Sequence, residues 1–138
     1  MNRLEYWLRA DTQYRVHSPF VFDLYRKVLF ARLDRETQKR VCAPARKRCD
    51  RLFHELVYKL ADHYGLRLLQ NDGDMAVLEG GNPVERVAVV RRPHRDSQVE
   101  QRWRNLQADS SYRVSIDMYD AGVLLDNPKL HPQHFLLK

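Results

Sequence analysis

At 138 residues the chain fits a single domain, long enough to bury about two-thirds of the surface its unfolded form exposes. A hydrophobic share of 43% and a charged share of 30% exclude an intrinsically disordered chain. No apolar run approaches the roughly 20 residues a bilayer span needs, so no membrane partner is expected. The net charge of +6 is uneven: residues 1–60 hold 14 Lys and Arg against 7 Asp and Glu (+7), and residues 61–138 hold 10 against 11 (−1). Attraction for polyanions therefore belongs to the first half.

The opening Met1-Asn2-Arg3-Leu4-Glu5 has neither an apolar core nor a small-residue cleavage site, which makes a cytoplasmic location the expectation. Leu4, Trp7 and Leu8 are spaced for one face of a short first helix, followed by a connection over Tyr14–His17. At Ser18-Pro19 a hydroxyl cap meets a proline suited to the first helical position. Phe20, Phe22, Leu24, Val28 and Leu29 then predict a helix to about Leu33. The basic stretch Asp34–Asp50 contains Pro44, which interrupts or begins a helix. Its Cys42 and Cys49 match no zinc or redox spacing and read as free thiols. A third helix is predicted over about Arg46–Tyr64, buried through Leu52, Leu56 and Leu60, with Gly65 as its left-handed cap.

The hydrophobic period then shortens. Leu66–Leu69, Met75–Leu78 and Val84–Val90 read as two or three strands of a meander, divided by the hairpin signal Asn71-Asp72-Gly73-Asp74 and by the turn Gly80-Gly81-Asn82-Pro83. Ser97-Gln98-Val99-Glu100 has the form of a capping box at the head of a helix reaching about Ala108. Three further strands, Tyr112–Tyr119, Val123–Leu125 and His134–Leu137, complete the chain. The prediction is an α/β domain over 1–138, with a helical lead-in over 1–65 and, over 66–138, a mixed sheet of about five strands. Three helices lie N-terminal to the sheet and one follows its central strand.

Chemistry is sparse. His131 and His134 lie three apart on an extended segment and face opposite sides, so no metal site is expected. His17, His54, His63 and His94 have no partner recognisable by spacing. Asp117 and Asp120 flank a tight turn and are expected to serve its backbone N–H groups rather than acid–base chemistry. Gly80-Gly81 is followed by a proline and a strand, so it lacks the helix N-terminus that a phosphate loop requires. The basic segment 35–51, through Arg40, Arg46, Lys47, Arg48 and Arg51, could neutralise phosphates without reading sequence, although no aromatic residues interleave it.

Two blocks resemble bacterial class I S-adenosylmethionine-dependent methyltransferases of the Bacteroidetes type. Tyr14–Leu29, YRVHSPFVFDLYRKVL, resembles that family's helical lead-in with its His-Ser-Pro-Phe signature. From Val84 onward, VERVAVV resembles the fifth strand, SQVEQRWRNL the helix after it, and VSIDMYDAGVLLDNPKLHPQHFLLK the terminal antiparallel strands. The chain departs from the family where the cofactor would bind. About twenty residues separate Gly65 from the fifth-strand segment, so the glycine-rich loop and most parallel strands have no room. Arg91-Arg92-Pro93 stands where the family tends to carry acidic residues. The resemblance implies a reduced, partial Rossmann fold and a non-catalytic scaffold or interaction module with no cofactor and no catalytic group. A sheet edge left unpaired by the missing half would favour a homo-oligomer or another protein chain as partner. One alternative is a methyltransferase that binds S-adenosylmethionine at a rebuilt site near Glu79, Gly80 and Gly81. The other is a nucleic-acid-binding module using the basic segment.

Overall fold

The computed structural model describes residues 1–10 and 18–137; the expected connection over Tyr14–His17, with His17 itself, lies outside them. The elements that form follow local chemistry closely. Helix α1, Arg3–Arg9, is capped by the Asn2 side chain, which accepts from the Glu5 N–H. Its expected apolar face is turned outward: Leu4, Trp7 and Leu8 are exposed, and Tyr6 is the residue it buries. Ser18 and Pro19 open α2, Pro19–Leu24, as their chemistry predicts. At Tyr25–Leu29 the coil widens into a π turn, with the Phe30 N–H donating to the Tyr25 carbonyl, and the helix stops short of Leu33.

The basic stretch holds a separate helix that the three-helix lead-in did not include, α3, Arg35–Val41, which ends before Pro44 and is capped by Asp34 through the Thr37 N–H. Four helices rather than three therefore precede the sheet. A 3₁₀ turn at Arg48–Asp50 leads into α4, Arg51–Tyr64, which ends at Gly65 with φ of 66° as predicted. Helix α5, Ser97–Ala108, is capped by Asp96 rather than by a Ser97–Glu100 box. Ser97 is its first residue, which frees Glu100 for contacts elsewhere.

Six strands form one mixed sheet: β1 Arg67–Asn71, β2 Met75–Glu79, β3 Arg86–Arg91, β4 Val114–Asp117, β5 Ala121–Asp126 and β6 Gln133–Leu136. Their order is β1-β2-β3-β5-β4-β6. All neighbours are antiparallel except β4 and β6. Because β5 pairs antiparallel with both β3 and β4, the strands β3, β4 and β6 point the same way. Helix α5 carries the chain from β3 over the sheet to β4, since parallel strands need a long crossover.

Side-chain alternation on the strands makes two cores. Val87 and Val89 of β3 join Leu78, Ile116, Val123 and Leu125 beneath α2 and α4, with Phe53, Leu56 and Leu60 facing them. Ala88, Val90 and Leu124 point the other way, onto Trp103 of α5. Gly122 sits under that indole so closely that a Cβ there would stand 2.5 Å from Trp103 Cη2.

Candidate functional site

The carboxyl ends of β3, β4 and β6 converge, and this is where an open α/β sheet ordinarily takes its ligand. The most connected cluster of ionisable groups lies there. His94, in the loop after β3, has a side chain only 5% exposed and is held at both nitrogens. Nδ1 is 2.5 Å from Glu100 Oε2, and Nε2 is 2.5 Å from Asp117 Oδ2. Burial opposes the imidazolium charge, but the bonds and charges of Asp117 and Glu100 outweigh it and raise the His94 pKa above its ordinary value. Glu100 also accepts from the Met1 amine at 2.6 Å, which with His94 pulls its pKa down to about 2.

Helix α1 caps this cluster. The Tyr6 hydroxyl donates to the Asp117 carbonyl at 2.6 Å and to the Leu137 carbonyl, and burial pushes its pKa up. The Tyr119 ring stacks on His94 at 5.6 Å and lies 5.1 Å from the Tyr6 ring. Arg3 lies over Tyr119 and donates to Asp120 at 2.8 Å. Asp117 therefore does more than serve its turn. One carboxylate oxygen accepts from the Tyr119 N–H as expected, while the other holds His94. Asp120 spends its carboxylate on Arg3. Arg92 and Tyr119, with φ of 43° and 67°, are the two non-glycine residues in the left-handed region among those described, and both sit at this end of the sheet.

The expected charge reversal at Arg91 is cancelled by the fold. Arg91 donates to Asp50 at 3.1 Å and to Asp74 at 2.6 Å, beside a cleft of about 580 Å³. Arg46 and Lys47 line that cleft too, whereas Arg51 faces a different one with Arg35 and Lys39. Arg48 is exposed, and Arg40 lies 5.7 Å from the Tyr58 ring. The five basic residues thus form no single surface groove. Among the described residues, none of Arg46, Lys47 and Arg48 has an ion-pair partner.

Glu79, Gly80 and Gly81 occupy the opposite end of the sheet from His94 and Asp117. Glu79 pairs with exposed Arg67 at 3.0 Å. Gly80 adopts φ of 87°, and a Cβ on Gly81 would meet the Val84 carbonyl oxygen at 2.5 Å, so backbone geometry accounts for both glycines. His134, on β6, sits 2.6 Å through Nδ1 from Ser115 Oγ, which also accepts from Gln107. Ser115 is 1% exposed, so the pair ties β4, β6 and α5 together rather than presenting a nucleophile. His131 lies in the exposed loop before β6. Cys42 and Cys49 are free thiols. Among the described residues, no helix is long and apolar enough to cross a membrane.

Sequence spacing could not have found the His94 cluster, because its members come from α5, two loops and a strand end. Lys59 was findable. It follows Leu56 by three residues on α4 and so lies on the apolar face, where it is buried. Comparison with family models, curated proteins and solved structures finds no match to the chain.

Proposed function

We propose that the chain is a non-catalytic, methyltransferase-like interaction module whose partner is a second copy of itself, joined through the β1 edge. The carrying observation is that all five residues of β1 are exposed, with Leu68 at 48% and Leu69 at 52%. Of the devices that blunt solvent-facing edge strands, β1 lacks lysine and proline and carries a single bulge. Its one charge, Arg67, is matched by Glu79 on β2. The register slips between Leu68 and Gln70, leaving Leu69 as the extra residue of a bulge. Two β1 edges meeting antiparallel across a two-fold axis would bury these leucines against one another.

One feature supports the methyltransferase-like part of this reading and another the non-catalytic part. The unit β3–α5–β4–β5 has a strand, a crossing helix and a reversed terminal strand in the order the resemblance implies. Tyr6, His94 and Tyr119 fill the space between the carboxyl ends of β3 and β4 with internal contacts. Light scattering at micromolar concentration should give a dimer, and Leu68→Ser with Leu69→Ser a folded monomer. Calorimetry with S-adenosylmethionine should show no heat of binding. A monomeric parent protein removes the association claim, and saturable cofactor binding removes the non-catalytic one.

Arg46, Lys47 and Arg48, exposed and without an ion-pair partner among the described residues, favour a second reading, a sequence-blind contact with nucleic-acid phosphates.

A further inference from the structure

A second cleft, of about 540 Å³, opens between the segment after the π turn and α4, at the carboxyl ends of β4 and β6, where Met118 and Leu137 contribute to its lining. That volume lies within the range of small-ligand sites. Lys59 also lines this cleft and is 8% exposed. An ammonium carries three donors, yet the contacts of Lys59 are long: 3.4 Å to the Leu29 carbonyl and 3.9 Å to Glu55 Oε2. Glu55 is better supplied. It accepts from Gln38 Nε2 at 3.0 Å and from Cys42 Sγ at 3.5 Å. The under-satisfied group is therefore the cation, and burial lowers its pKa despite Glu55.

Charge and shape select the ligand. The lining carries two cations, Lys59 and Arg32, against one carboxylate, Glu55, so the site favours an anion. Phe30, Leu52 and Met118 supply apolar wall, and Phe30 is held stacked on Tyr25 at 4.1 Å while 43% exposed. The π turn that places Phe30 and the Leu29 carbonyl is an irregularity often found beside functional sites. We infer that this cleft binds a small amphipathic monocarboxylate, its carboxylate held by Lys59 and Arg32 and its hydrocarbon body against Phe30, Leu52 and Met118. The ligand carboxylate supplies closer acceptors than the Leu29 carbonyl and Glu55 offer Lys59, and the site is separate from the β1 edge.

The test compares octanoate with 1-octanol by titration calorimetry on the full chain. Octanoate should bind one to one and at least about tenfold tighter than the alcohol. Lys59→Met keeps the length of the side chain and removes the buried charge, so its thermal midpoint should equal or exceed the parent's while octanoate affinity falls to the level of octanol. Glu55→Gln should tighten octanoate severalfold by removing the one repelling charge, and this variant decides the matter should Lys59→Met fail to fold. The inference is overturned by no saturation with octanoate at millimolar concentration, or by equal affinity for acid and alcohol. A folded Lys59→Met that retains octanoate affinity, or Glu55→Gln that leaves it unchanged, overturns it equally.

Discussion

Replacing His94 with alanine should be among the most costly single changes in this molecule. The side chain of Asp117 is 2% exposed, and among the described residues its carboxylate accepts, apart from His94, only the Tyr119 N–H. Glu100 is less dependent, because the Met1 amine and Arg104 remain beside it. His94→Ala therefore strands one buried carboxylate, a loss of about 3–5 kcal/mol out of a typical total of about 5–15. For a domain of this size the thermal midpoint should drop by roughly 10–15 °C. Arg3→Ala is the internal control. Its partner Asp120 is shared with solvent and Arg3 is 65% exposed, so about 1 kcal/mol or less is expected. The double change His94→Gln with Asp117→Asn should recover more than half of the loss, since a neutral pair leaves no buried charge. Urea unfolding measures all three, and a His94→Ala protein within about 1 kcal/mol of the parent would refute the reasoning. The pH profile adds an independent check. The His94 pKa is raised above 6.5 in the folded state, so its stabilisation is fully present below pH 6.5 and is lost as the pH climbs through the folded value. Glu100, lowered from 4.5 to about 2, stabilises above pH 4.5 and loses that contribution as the pH falls toward 2. Lys59 has the opposite slope: with its pKa lowered from 10.5, it adds stability as the pH rises toward that value. The fall just above pH 6.5 should therefore belong to His94 and vanish in His94→Ala.

Two further outcomes are expected. Gly122→Ala drives a methyl group into the Trp103 indole and should cost about 1–3 kcal/mol, read from the urea midpoint by tryptophan fluorescence; a cost under about 0.5 kcal/mol would show that α5 shifts freely. If the basic segment contacts nucleic acid, a mobility shift with random-sequence RNA should weaken steeply across a salt series. Reversing Arg46, Lys47 and Arg48 to glutamate should abolish the shift, and binding that ignores salt would exclude this reading.

Local chemistry in the sequence determined most elements: the Ser18-Pro19 start, the Gly65 stop, the hairpin at Asn71–Asp74, α5 and the terminal strands. Each depends on a cap, a turn or a period whose physics acts within a few residues. The errors were also local competitions. Asp96 displaced Ser97 as the cap, and Asp34 nucleated a separate helix in the basic stretch before Pro44. Apolar periodicity assigned Leu4, Trp7 and Leu8 to the buried side of α1, but Tyr6 took that side because its hydroxyl reaches two buried carbonyl groups. Tertiary structure alone decided what long-range pairing brings together. Placing β5 between β3 and β4 set Asp117 beside His94 and Glu100, and folding the π turn against α4 left Lys59 in a cleft with long contacts to the Leu29 carbonyl and Glu55. No spacing rule joins residues 6, 94, 100 and 117, or 32, 59 and 118. Their meeting is a property of the sheet order, which depends on burying both faces of the sheet at once.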